Sequence, residues 1–167
     1  MLKGYAAGPH FNQGGSGSNF LCLHEEPQWA TYVDGQQQYT GSVYGVAYGH
    51  AQHSNIFSTR NSGGRVLYQK PAPCALCDVP SRSRTAMIPA RTQCPDGWTK
   101  EYAGYLVSEY KTDRKRSSYI CVDEAPEIAV GSSQWQSISY PVEVECGMLP
   151  CSVYISGREL TCVVCSK

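Results

Sequence analysis

The residues best suited to chemistry in this chain are its nine cysteines. Four of them form two Cys-x-x-Cys pairs, Cys74-Ala75-Leu76-Cys77 and Cys162-Val163-Val164-Cys165. Such pairs can hold zinc through four thiolates, carry out thiol exchange at a helix start, or form structural disulfides. Paired zinc motifs usually lie ~15–20 residues apart. Here 85 positions separate Cys77 from Cys162, and five further cysteines would lack a role. Neither pair opens a helix after a strand, which weakens the redox reading further. Cysteines at this density point to an oxidising compartment and structural disulfides. No metal or other cofactor is expected.

The remaining reactive side chains give little chemistry. His50-x-x-His53 could present two imidazoles to one metal, but Gly49, Ala51, Gln52, Ser54 and Asn55 around them read as a polar surface loop. His10 and His24 stand alone. Gly15-Ser16-Gly17-Ser18 is no nucleophile elbow, because no strand-to-helix turn surrounds it. Glu25-Glu26 and Asp123-Glu124 could act as acid and base or bind calcium. Both follow an apolar run in the same way, which favours a structural role. No base, nucleophile and orienting group can be assembled, so the chain is read as a non-enzyme. Lys111, Arg114, Lys115 and Arg116 form the one basic run. It suits a solvated hairpin tip, or a contact with heparin-like anionic matrix. Trp29, Tyr39, Tyr44 and Tyr48 could line a sugar-binding surface, with Gln36 to Gln38 as hydrogen-bonding groups; a structural or interface role is the alternative.

Composition bounds what must position these groups. The 167 residues carry 14 basic and 14 acidic side chains, for no net charge. That removes the main electrostatic reason to expect nucleic-acid or membrane binding. No apolar run approaches the ~20 residues of a membrane-spanning helix. Met1 to Tyr5 has no apolar core, so it is not a signal peptide; a secreted form would have lost its leader. Asn12, Asn19, Asn55 and Asn61 all fail the sequon rule, so an unglycosylated extracellular domain is expected. Gly, Tyr and Pro are plentiful at 16, 12 and 10, a palette of strands and turns.

The chain also resembles itself. Gly4-Tyr5 … Phe20-Leu21-Cys22-Leu23-His24-Glu25-Glu26-Pro27 aligns with Gly104-Tyr105 … Tyr119-Ile120-Cys121-Val122-Asp123-Glu124-Ala125-Pro126. Each half closes on a Cys-x-x-Cys, the first after a longer middle loop. The expected fold is all-β: a tandem of two similar disulfide-stapled β-rich subdomains related by a pseudo-two-fold. The repeats would cover 1–86 and 87–167 within one compact unit. Phe20 to Leu23 and Tyr119 to Val122 read as strands buried on both faces. Tyr140 to Cys146 alternates, placing Val142, Val144 and Cys146 on one face. Val43 to Tyr48 reads as a looser strand, and Glu101 to Tyr110 as a strand rather than a helix.

Cys74-Ala75-Leu76-Cys77-Asp78, Ile88-Pro89, Cys94-Pro95-Asp96-Gly97-Trp98, Tyr102, Gly104-Tyr105 and the closing Cys162 to Cys165 resemble the C-terminal non-collagenous domain of type IV collagen. Gly14-Gly15-x-Gly17-x-Asn19-Phe20-Leu21-Cys22 and Val43-Tyr44-Gly45-Val46 are similar to the invertebrate short-chain, spongin-type collagens and their collagen-free relatives. Residues 30–70 match poorly. The resemblance implies nested disulfides: Cys22–Cys74, Cys94–Cys165, Cys121–Cys162 and Cys146–Cys151. It leaves Cys77 unpaired or bridged to another chain. It further implies a secreted, extracellular assembly domain that forms homo-oligomers, trimers or dimers, by exchanging strands. A soluble lectin-like recognition or defence protein is the alternative, with glycans or anionic matrix as partners.

Overall fold

The computed structural model describes residues 2–31, 33–35, 39–49, 56–114, 116–131 and 137–167. Among them the chain is all-β, with nine strands and no helix. The strands are β1 (Leu2–Gly8), β2 (Leu21–His24), β3 (Tyr44–Tyr48), β4 (Pro73–Leu76), β5 (Thr85–Pro89), β6 (Thr99–Ser108), β7 (Ile120–Asp123), β8 (Ser137–Pro141) and β9 (Thr161–Ser166). They join in one mixed sheet ordered β2-β1-β3-β8-β6-β9-β5, with β4 also on β1 and β7 also on β6. Every pairing is antiparallel except β3 with β8, which run parallel at the centre.

Hydrogen-bond register follows the sequence repeat closely. On β1, Gly4 lies opposite His24 and Cys74; on β6, Gly104 lies opposite Asp123 and Cys162. A Cβ on Gly4 would sit 1.9 Å from the Leu23 carbonyl oxygen, and one on Gly104 would sit 1.9 Å from that of Val122. Only glycine lets the neighbouring backbone approach so closely. Beyond β3 the chain returns along it, Ala72 donating to Val46 and Tyr48 accepting from Gln69. Beyond β8 a second hairpin repeats this, Leu160 donating to Val142 and Val144 accepting from Gly157.

The core forms where the first hairpin crosses onto the second half. Tyr48, Phe57, Leu67, Ala72 and Val107 are buried together, with Tyr105, Ile120 and Val122 packed against them. Phe57 meets Tyr105 edge-on at 5.4 Å, the arrangement that ring quadrupoles favour. The Ser58 amide donates to the Glu124 carbonyl, and Asn61 Nδ2 donates to that of Ala125.

Two expectations about burial need correction. β2 is exposed along its whole length and β7 is half-buried, so neither is covered on both faces. Of the two, only β7 packs on the core, through Ile120 and Val122. From Val142 to Cys146 the expected alternation holds, with Val144 buried and Glu143 and Glu145 exposed. The regular strand nevertheless stops at Pro141.

Candidate functional site

Sulfur chemistry is settled by pairing. Cys22 joins Cys74, Cys94 joins Cys165, Cys121 joins Cys162 and Cys146 joins Cys151, with Cα separations of 5.1–5.9 Å. These are the pairs that the resemblance implies. Cys22–Cys74 ties β2 to β4 past Gly4, and Cys121–Cys162 ties β7 to β9 past Gly104. With four disulfides formed, a four-thiolate zinc site has no ligands left. Cys77 is free and exposed. It follows β4, whose outer edge carries no strand among the described residues; the corresponding edge of β9 is covered by β5.

The four aromatics proposed as a sugar surface are not brought together as one. Trp29 and Tyr39 are exposed. Tyr44 is half-buried, 5.0 Å from the His10 ring and within hydrogen-bond reach of Gln13. Tyr48 is a core residue: its ring is buried and its hydroxyl donates to the Glu127 carbonyl at 2.8 Å. Burial pushes its phenol well above the usual range. The chain returns along this strand position, the Tyr48 amide donating to the Lys70 carbonyl and the Gln69 amide donating to that of Tyr48. His50, His53 and Gln36 to Gln38 lie outside the described residues.

The basic run sits at the expected turn between β6 and β7, with Lys111, Arg114 and Arg116 exposed; Lys115 lies outside the described residues. Lys111, Arg114 and Arg116 line a cleft of about 850 Å³ together with Glu109, Asp113, Glu143 and Glu145. Tyr110, Tyr119 and Tyr140 complete its walls, the rings of Tyr110 and Tyr140 lying 5.5 Å apart. Glu109 is 7% exposed. Its Oε1 accepts from Ser137 Oγ at 3.4 Å, and its Oε2 has no hydrogen-bond partner among the described residues. Burial first, then the nearby Asp113 carboxylate, raises its pKa to about 7. Nothing in the sequence marks this group: Pro9 occupies the matching place in the first half, and Glu109 has no acidic neighbour in the chain.

A second feature escaped the sequence reading. Directly opposed residues share a sheet face, so Tyr5 and Leu23 lie together, with Ala7 and Leu21 beside them. Tyr105, Val122, Val107 and Ile120 form the matching face on the second half. The latter is covered by Phe57 and its neighbours. On the former Ala7 is buried, but Tyr5, Leu21, Leu23 and, just before β3, Val43 are each more than 40% exposed. Met148, Leu149, Val153 and Ile155, on the second hairpin, are also exposed. No family model matches the chain, and no solved structure matches it.

Proposed function

We propose that this chain is a secreted extracellular structural domain that builds assemblies by self-association, of the kind resembled by the type IV and short-chain collagen C-terminal domains. One observation carries the reading. The first hairpin covers the β6–β7 face, whereas Tyr5, Leu21 and Leu23 of the β1–β2 face and Met148, Leu149, Val153 and Ile155 at the tip of the second hairpin are exposed. The matching registers and glycines support a duplicated unit with a pseudo-two-fold relation. In such a tandem one hairpin-on-face contact is made within the chain. The reciprocal contact is made with the next copy, Met148 to Ile155 of one meeting Tyr5, Leu21, Leu23 and Val43 of another.

Such a contact is head-to-tail, so it repeats until it closes. A closed dimer or trimer satisfies every copy. Burial of these side chains would supply the driving force, at about 25 cal/mol per Å² of apolar surface. The zero net charge leaves little repulsion to oppose it. Four disulfides, and the absence among the described residues of any helix long and apolar enough to cross a membrane, are consistent with secretion.

Light scattering after size exclusion tests the reading. The wild type is expected as a closed oligomer. Leu23→Glu and Ile155→Glu, both at exposed positions, are each expected to yield folded monomers. A wild type that stays monomeric at its highest attainable concentration refutes self-association.

A further inference from the structure

We infer that the cleft beside Glu109 is a binding site for a neutral, hydroxyl-rich saccharide. The inference does not depend on the association proposed above, and it places the sugar site away from Trp29 and Tyr39. It starts from Glu109 Oε2, a buried carboxyl oxygen with no hydrogen-bond partner among the described residues. Buried polar atoms are nearly always satisfied, so a ligand that enters this cleft and donates an O–H or N–H there replaces what the fold omits.

The walls say which ligand. Three cations, Lys111, Arg114 and Arg116, face four carboxyl groups, Glu109, Asp113, Glu143 and Glu145. The carboxylates disfavour a sulfated or phosphorylated polyanion. The cations disfavour an ammonium ligand, which would otherwise suit a carboxyl beside aromatic rings. What remains is an uncharged molecule with many hydroxyls. Planar carboxylate and guanidinium groups hydrogen-bond to adjacent hydroxyls in pairs. Tyr110 and Tyr119 keep ring surface exposed at the rim, where a pyranose can lay its C–H face. The cleft's volume of about 850 Å³ falls within the range of small-ligand sites and is ample for a disaccharide.

The site combines elements that only the folded chain brings together. Glu109 to Arg114 form the turn leaving β6, Arg116 and Tyr119 precede β7, and Tyr140 to Glu145 end β8 and begin the second hairpin. Ser137 holds Glu109 in place from the start of β8.

Titration calorimetry of the full chain with cellobiose, lactose and N,N′-diacetylchitobiose, at up to about 10 mM, tests the inference, with a heparin-derived sulfated disaccharide and lysine methyl ester as competing probes. Saturable binding of a neutral disaccharide is expected. Tyr119→Ala should weaken it about tenfold, the worth of one stacked ring, and Glu109→Gln should weaken it several-fold. Tyr119 is exposed, so its replacement leaves folding intact, and near-ultraviolet circular dichroism checks both variants. Binding of only the sulfated or the cationic probe, binding of none, or neutral-sugar binding untouched by Tyr119→Ala overturns the assignment.

Discussion

Replacing Glu109 by glutamine should flatten the dependence of stability on pH. The Glu109 carboxyl is raised from 4.5 to about 7, chiefly by burial, then by Asp113, with the Ser137 hydrogen bond pulling weakly the other way. One pK unit corresponds to 1.36 kcal/mol, so the gap amounts to about 3 kcal/mol. Because the folded value lies above the unfolded one, the unfolded chain gives up its proton first as pH rises. Stability is therefore greatest below about pH 4.5, falls through the interval up to about pH 7, and then levels off. With its side chain 7% exposed, Glu109 is little screened by solvent. Glutamine has no proton to lose and keeps the shape. Asp113, also raised by burial, leaves a smaller residual slope in the variant. Urea unfolding at about pH 5 and about pH 8 gives the comparison, provided the m-value is unchanged. The wild type should lose about 2–3 kcal/mol more than Glu109→Gln between the two, since at about pH 5 the unfolded carboxyl is already largely ionised. Parallel losses, or a wild type more stable at the higher pH, would refute the claim that this carboxyl is desolvated.

Further outcomes follow from the backbone and the disulfides. Gly4→Ala and Gly104→Ala each thrust a Cβ to 1.9 Å from a carbonyl oxygen of the adjacent strand; each should lower unfolding free energy by about 3 kcal/mol or more, and a soluble variant melting with the wild type would contradict the register. The disulfides should rank by loop length. Cys94–Cys165 spans 71 positions and Cys146–Cys151 spans 5; on loop entropy their paired alanine variants should lose about 4 and about 2 kcal/mol respectively, measured by denaturant unfolding.

Much of this architecture is legible in the sequence because the same local signals occur in both halves. Gly4 and Gly104 stand in matching contexts, and at both a neighbouring backbone leaves no room for a side chain. The apolar runs around Cys22 and Cys121 marked β2 and β7. What they could not reveal was burial, because that depends on what crosses over them, and Phe57 arrives from a distant loop. Residues 30–70 match the resembled family poorly, and Tyr48, Phe57 and Leu67 carry no periodic pattern, so nothing local marks them as core. Residue type alone sets Tyr48 beside Trp29 and Tyr39; only its burial with Phe57 and Val107 places it inside. Glu109 stayed hidden because a single acid beside a serine and a tyrosine has no signature until folding strips it of water.

The crossing of the first hairpin has a consequence for synthesis in the cell. Phe57 and Leu67 emerge from the ribosome well before the strands that shelter them, since Val122 follows Leu67 by 55 residues. At translation rates of ~5–20 residues per second, these side chains wait roughly 3–11 seconds without cover. The Cys22–Cys74 link can close during that interval, because both its thiols are already outside. The nascent first half is then covalently pinned yet still sticky, which makes it a natural client for chaperones and disulfide isomerases until translation ends.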